Sequence, residues 1–312
     1  MSTERLYLRH ELASAGLRPE RDPAFSRERR AVYAAAGQVE QSATARYLRL
    51  VHASHLTLTG AHVYSHESAA VLLGLPALGA WPEVVHLIDE RRTGGRSQLD
   101  VVRHCVGLER VDPVVVDGLL VTSPARTAFD IALARSSEEG VVVADAVVRD
   151  WPGAEEELRE LADWYGRRRG WQKVQRVVAF MDGRSGSVGE SVSRCRIDAL
   201  GFVRPELQVP ITTDGRTEYG DFGWEEALAL GEFDGEVKYR LDRYRQGGSA
   251  EDVVIREKKR ENRMRRQRPN FARWDWSDLR YHRLEGILLA ARVPKRRAPA
   301  RSRAVLRPSR GR

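Results

Sequence analysis

The stretch GEFDGEVKYR, residues 231–240, sets Glu232, Asp234, Glu236 and Lys238 at every second position, directly after the apolar run Leu228–Leu230. Residues two apart in a strand share a face, so Glu232 and Asp234 point one way and Phe233 the other. Asp221 opens the preceding apolar stretch DFGW, and an antiparallel neighbour in suitable register would bring it to that pair. Carboxylates converging in a half-buried site repel one another unless a hard cation sits among them. Mg²⁺ (or Mn²⁺), held by Asp221, Glu232 and Asp234 and completed by waters and phosphate oxygens, would answer that need. Lys238 shares the strand parity and would orient or polarise an attacking water. Glu190, in the first turn of an upstream helix, is a fourth acid. The same spacing is also compatible with an ordinary surface strand end followed by a hairpin.

The elements that must position these groups follow from hydrophobic period and turn residues. Beyond residue 189 come a helix ended by Gly201, three strands in hairpin order (PELQVPITT, EYGDFGW, LALGEFDG), a long helix, a strand-like FARWDW and a final helix. On the long helix Arg256, Lys259, Arg263 and Arg266 step by three and four, which would set a basic stripe against phosphates without reading bases. Its acids-first, bases-last order equally complements the helix dipole. Trp274 and Trp276 flank Asp275 at strand parity. Core packing is the ordinary reading for at least one of them, and a stacking contact with DNA the other.

Residues 4–58 read as three short helices, ERLYLRHELASAGL, AFSRERRAVYAAAG and SATARYLRLVHASHLTL, the last with Ser42 as its cap, in a winged-helix-like unit or as a helical lead-in to the next domain. From Ala61 a helix at SHESAAVLLG and the β-branched runs VVHLID, LDVVRHCV and PVVVDGLLVTS announce a small sheet, followed by helices beginning at TSPARTAFDIA, where Ser123 fits an N-cap and Pro124 the first turn. His62, His66, His86 and His104 are scattered without metal-ligand spacing and read as strand-end or surface imidazoles. The Gly/Ser cluster DGRSGSV marks a linker. The expected organisation is therefore 1–60 helical, 61–181 α/β, 182–188 linker, 189–293 C-terminal domain and 294–312 a basic disordered tail.

Composition narrows the class. At 312 residues with 42% hydrophobic and 31% charged residues, the chain can bury more than one core. No apolar stretch is long enough for a membrane span, the N-terminus is too charged for a secretory signal, and the two cysteines are far apart, so the cytoplasm is the expected location and no membrane partner is expected. The net charge of +8 resides in the tail from Pro294, which carries eight Lys/Arg and no acid; the remainder is formally neutral. Such a tail is a solubilising extension or a nonspecific phosphate-binding arm.

The ordered run GES…R…ALGF…PELQV…YGDFGW…LGEFDGEVKY…EKKRENRMRR…RWDWSDL, roughly residues 186–285, resembles a very-short-patch-repair-type endonuclease domain of the PD-(D/E)XK superfamily. VYSHESAAVLLGLP and GLLVTSPARTAFDIA resemble the AbiEi-type antitoxin or regulator domains that precede such nuclease-like domains in actinobacterial proteins. The resemblance implies that Asp221 is the strand aspartate, Glu232 the glutamate of the (D/E)XK element and Glu190 the acid of the preceding helix. The lysine position, two after that glutamate, is Asp234 here; Lys238 or Lys258 would have to take the role, and Lys238 shares the strand. The expectation is an α+β protein: a helical N-terminal region, a small α/β middle domain and a nuclease-like C-terminal domain with a mixed sheet flanked by helices. Its expected function is Mg²⁺-dependent DNA endonuclease, with Asp221, Glu232, Asp234, Lys238 and Glu190 catalytic and Arg256, Lys259, Arg263, Arg266 and Trp274 on the DNA backbone. The alternative is a non-catalytic DNA-binding regulator that keeps the nuclease fold. A cognate toxin or regulatory protein is a further expected partner.

Overall fold

The computed structural model describes residues 5–36, 42–88, 100–105, 110–213, 215–235, 250–280 and 283–296, with backbone alone for 250–257. The chain is mixed α/β and forms two compact units, Met1–Val192 and Ser193–Arg312. Among the described residues no helix is long and apolar enough to cross a membrane.

The first unit opens with β1 (Leu6–Leu8), α1 (Arg9–Ser14), β2 (Phe25–Arg29), β3 (Val32–Ala35) and α2 (Ala43–His55). The helix expected over AFSRERRAVYAAAG is instead the β2–β3 hairpin, and β1 pairs with β3 to complete a three-stranded sheet. Helical spacing misled because Val32, Tyr33 and Ala34 are buried in succession: a strand covered on both faces loses the alternation that would betray it. Ala31, at φ 64, turns the hairpin. The α2 helix forms as expected, with Ser42 Oγ accepting from the Ala45 N–H.

The second sheet of this unit uses β4 (Val63–Tyr64), β5 (Val85–Ile88), β6 (Val101–His104), β7 (Pro113–Val116) and β8 (Leu119–Thr122), in the order β6-β5-β4-β8-β7. Its pairings are mixed, parallel for β5–β6 and β4–β8 and antiparallel for the others. PVVVDGLLVTS is a hairpin, with Asp117 and Gly118 both at positive φ (49° and 80°), the conformation a tight two-residue turn demands. Between β4 and β5 lies α3 (His66–Leu72); after β8 come α4 (Pro124–Ala134), α5 (Ser137–Asp150), α6 (Ala154–Tyr165) and α7 (Trp171–Phe180). Tyr47 and Val51 of α2 enter one core with Tyr64, Val85, Leu87, Val101 and Val121, so residues 1–60 share the packing of the segment that follows them. The α4 helix begins as its sequence dictates, Ser123 Oγ accepting from the Arg126 N–H with Pro124 in the first turn. Inside it Arg126, 1% exposed, donates from Nε to Asp130 Oδ1 at 2.9 Å and from Nη1 to the Arg110 carbonyl.

The expected linker at 182–188 is held in place. Ser185 is fully buried and bonds to Ser191, while the Asp182 N–H donates to Asp145 Oδ1. A Cβ on Gly183 would come within 3.1 Å of the Arg149 backbone, so its glycine reflects close packing and not looseness. The helix α8 (Val188–Ala199) carries the chain from the first unit into the second.

The second unit continues with β9 (Glu206–Thr213), β10 (Arg216–Trp224), β11 (Ala229–Asp234), α9 (Ala250–Gln267), β12 (Asn270–Asp275), α10 (Trp276–Arg280) and α11 (Leu284–Ala290). β9, β10 and β11 form an antiparallel meander; β12 returns after α9 and pairs parallel to β11, giving the order β12-β11-β10-β9. Met264 of α9 covers one face, against Val209, Ile211 and Leu230. On the opposite face Trp274 stacks on Phe222 with centroids 5.2 Å apart. Trp276, expected in the strand, starts α10. Of the tail expected from residue 294, Lys295 bridges to Phe202 and Arg296 pairs with Asp198, and residues 297–312 lie outside those described.

Replacing Asp130 with Ala leaves the Arg126 charge buried and without its carboxylate. Urea unfolding of the first unit is expected to show a loss of about 3–5 kcal/mol, with a smaller loss in the Arg126→Met/Asp130→Leu double variant.

Candidate functional site

The register of β10 and β11 brings the predicted acids together. Phe222 faces Gly231 in the last pair of the ladder, and the next residues along the two strands are Asp221 and Glu232. Asp221 interrupts the alternation of its strand. A Cβ on Gly220 would lie 2.6 Å from Leu230, and one on Gly223 2.5 Å from Val209, both in the cluster under α9. Residues three apart share a face only if the pleat slips between them. Opposite the slip, Gln208 has φ 52. The result turns Asp221 toward β11, where Oδ2 accepts the Phe233 N–H at 2.8 Å.

Glu232 is 6% exposed and held from two sides. Arg260 of α9 donates to Oε1 at 2.7 Å, and Arg273 of β12 donates to Oε2 at 2.6 Å. Arg273 is the parallel-strand neighbour of Glu232, which makes this contact a direct product of the β11–β12 register. It also reaches Asp234 at 4.0 Å and Glu261 at 3.6 Å. Burial works against the Arg273 charge, but Glu232, Asp234 and Glu261 outweigh it and raise its pKa above the ordinary arginine value. The geometry thus gathers Asp221, Glu232 and Asp234 at one end of the sheet, with two guanidiniums among them. Neither arginine was singled out by spacing, since no sequence pattern reveals which strand pairs parallel with β11.

The other predicted residues have different surroundings. Lys238 lies outside the described residues, as does the side chain of Arg256. Lys259 and Arg266 are exposed on α9, whereas Arg263 is committed to Glu218. Trp274 does not face a ligand: it is 1% exposed, its Nε1 donates to Ser193 Oγ, and its ring rests where Gly231 leaves room, a Cβ there lying 2.6 Å from the indole. The assignment of Trp274 to the DNA backbone is therefore corrected to core packing, because the strand's inward face was already apolar. Glu190 helps cap the start of α8, accepting from the Ser187 hydroxyl and the Gly186 N–H while Ser187 Oγ accepts from the Glu190 N–H.

The first unit holds a cluster that sequence spacing hid. His66, His86 and His104 come from α3, β5 and β6, and each presents a ring nitrogen within 4.8 Å of the others. Reading them as scattered imidazoles is corrected by the β5–β6 parallel register, which sets His86 beside Val102 and leaves His104 two residues further on the same side. His86 Nδ1 and His104 Nε2 are 2.9 Å apart, and the His66 and His104 rings stack with centroids 3.7 Å apart. Burial lowers the pKa of all three, with neighbouring imidazoles adding to the effect on His66 and His104; His66 falls well below the usual value and His104 to about 4. All three are therefore neutral near pH 7. His66 sits at φ 51, an uncommon backbone for a non-glycine residue.

Comparison with known proteins adds likeness without activity. No family model matches the chain. Two uncharacterized proteins of Mycobacterium tuberculosis, one from strain CDC 1551 / Oshkosh and one from ATCC 25618 / H37Rv, are each 31% identical over 120 residues. The match covers 38% of this chain and 44% of each relative, so the chain spans under half the length of the curated proteins it matches.

Trp274→Ala is expected to cost about 3–5 kcal/mol in the unfolding of the second unit, followed by urea titration, because it empties the space between Gly231 and Phe222. Arg266→Ala, an exposed change, is expected within about 0.5 kcal/mol of the parent.

Proposed function

We propose that the second unit is a PD-(D/E)XK-type nuclease domain that hydrolyses DNA phosphodiesters with Mg²⁺ or Mn²⁺, and that the first unit is a regulator-like DNA- or partner-binding half. The observation that carries this reading is Asp221 bonded to the N–H of Phe233, the residue between Glu232 and Asp234, at one end of a sheet whose elements run helix, three antiparallel strands, helix, parallel strand.

The donor set suits a hard cation. An ionised carboxylate has about four lone-pair sites, so Glu232 can keep both guanidinium contacts and still offer an oxygen, and Asp221 spends Oδ2 on one N–H without exhausting its acceptors. A bound cation would supply Lewis-acid stabilisation of the scissile phosphate and a more acidic water. The protein's own groups have separate work. Asp221, Glu232 and Asp234 would hold the ion. Arg260 and Arg273 offset the mutual repulsion of the acids and keep Glu232 fixed. Arg273 adds positive charge beside the position where the superfamily has lysine, but a guanidinium that stays protonated cannot accept a proton. Lys259 and Arg266 on the exposed side of α9 would meet phosphates.

A second reading, a non-catalytic DNA-binding platform, is favoured by one specific feature: Asp234 stands two residues after Glu232, and both Glu232 oxygens are already engaged by arginine.

The full chain is to be incubated with plasmid and oligonucleotide DNA, with Mg²⁺, Mn²⁺ or chelator, beside Asp221→Ala and Glu232→Ala. Cleavage that needs the metal and falls to background in both variants is expected. Metal-dependent cleavage surviving both substitutions would overturn the site, and retention of DNA without cleavage by the parent protein selects the platform.

A further inference from the structure

The histidine cluster belongs to the first unit, the acids of the proposed nuclease site to the second, and it carries an inference independent of that proposal. Three observations bear on it. First, three imidazoles from three different elements converge, with one nitrogen of each within 4.8 Å of the other two. Second, the outer contacts of two of the rings mark which nitrogen is left for the cluster. His66 Nδ1 is engaged by Ser65 Oγ at 3.1 Å, which leaves Nε2. His86 turns Nε2 toward Glu67 Oε2, 3.4 Å away, which leaves Nδ1 facing His104 Nε2. A carboxylate behind the distal N–H of an imidazole is the arrangement that fixes the tautomer of a metal-ligating histidine. Glu67 is itself anchored, Oε1 accepting from Arg135 Nε.

Third, the cluster leaves polar atoms unsatisfied. His86 Nε2 and Glu67 Oε2 are buried with no hydrogen-bond partner among the described residues, being close enough to attract but misaligned. His86 and Glu67 are each 8% exposed, where such atoms are costly. A ligand that pulls His86 Nδ1 toward the centre of the cluster would reorient the ring and let Nε2–H meet Glu67.

We propose that His66, His86 and His104 form a binding site for a divalent transition-metal ion of the zinc class, through His66 Nε2, His86 Nδ1 and His104 Nε2, with Glu67 as the residue that positions His86 and the fourth coordination place left to water.

The ligand set decides the class of ion. Three neutral imidazoles suit Zn²⁺, Co²⁺ or Ni²⁺ and not Mg²⁺ or Ca²⁺, which take oxygen. The dimensions are close. Zn–N bonds of about 2.0–2.1 Å in a tetrahedron put ligand nitrogens about 3.3 Å apart, against 2.9 Å for His86 Nδ1 and His104 Nε2. Binding therefore opens that pair by about 0.4 Å and fans the stacked His66 and His104 rings apart. As the ion enters, the N–H between the two nitrogens is given up and His104 carries its proton on Nδ1 instead, so all three rings stay neutral. The ion would tie the start of α3 to the adjacent parallel strands β5 and β6.

The test is titration of the chelator-treated full chain with Zn²⁺ and with Co²⁺, read by calorimetry, by the visible bands of tetrahedral Co²⁺ and by the melting temperature of the first unit. Expected are a single saturable ion per chain, a higher melting temperature with Zn²⁺, and no such effect with Mg²⁺. Binding should be lost in His86→Ala and in His104→Ala and kept in Cys105→Ser, the exposed neighbour thiol. Glu67→Gln should weaken affinity about 10- to 100-fold with the stoichiometry unchanged. Should His86→Ala fail to fold, the half-buried His104, checked by circular dichroism, gives the same discrimination. A folded protein that takes up neither ion saturably, or whose binding survives His104→Ala or requires Cys105, would overturn the proposal.

Discussion

A carboxylate that leaves water must find positive charge or hydrogen-bond donors, and much of the second unit can be traced to that demand at Glu232. Its burial is tolerable because Arg260 and Arg273 each take one of its oxygens. Arg273 is available only because β12 runs parallel to β11 and in register with it. Arg260 is available only because Met264, one turn further along α9, anchors the helix over Leu230. The same parallel register places Trp274 behind Gly231 on the other face, so the core and the acidic end of the sheet share one pairing. A shift of β12 by one residue would exchange the indole for the guanidinium and ruin both.

Asp221 meets the demand differently. It is half-buried at the slip in β10 and uses the Phe233 N–H, a donor freed where the β10–β11 ladder ends. The slip aims the side chain across to the Phe233 N–H of β11, which is how irregular strands commonly re-aim a functional group. Without it, Asp221 would share the face of Gly223, two residues on, which packs against Val209 in the apolar cluster.

The first unit repeats the theme with other partners. Asp130 relies on Arg126 inside α4, and Glu67 on Arg135. Glu67 then stands behind His86, so that one anchored carboxylate orders an imidazole whose neighbours are two more imidazoles. Burial keeps those rings uncharged near pH 7, and three uncharged rings can stack and share protons where three charged ones would repel.

Local chemistry made much of this legible. Ser42 and Ser123 cap the helices they precede, Asp117–Gly118 turns a hairpin, and the run from Glu206 to Asp234 is a meander, because caps, turns and alternating strands are written over a few residues. That Glu232 and Asp234 share a face was legible for the same reason, whereas Asp221 turns toward β11 only through the slip in β10, which no local pattern announces. The hairpin at 25–35 was not, since a strand buried on both faces carries no period. Arg260 and Arg273 beside Glu232, the burial of Trp274, and the meeting of His66, His86 and His104 were decided by tertiary structure. Each depends on which strand lies parallel to which and in what register, and that choice is made by packing between segments far apart in the chain.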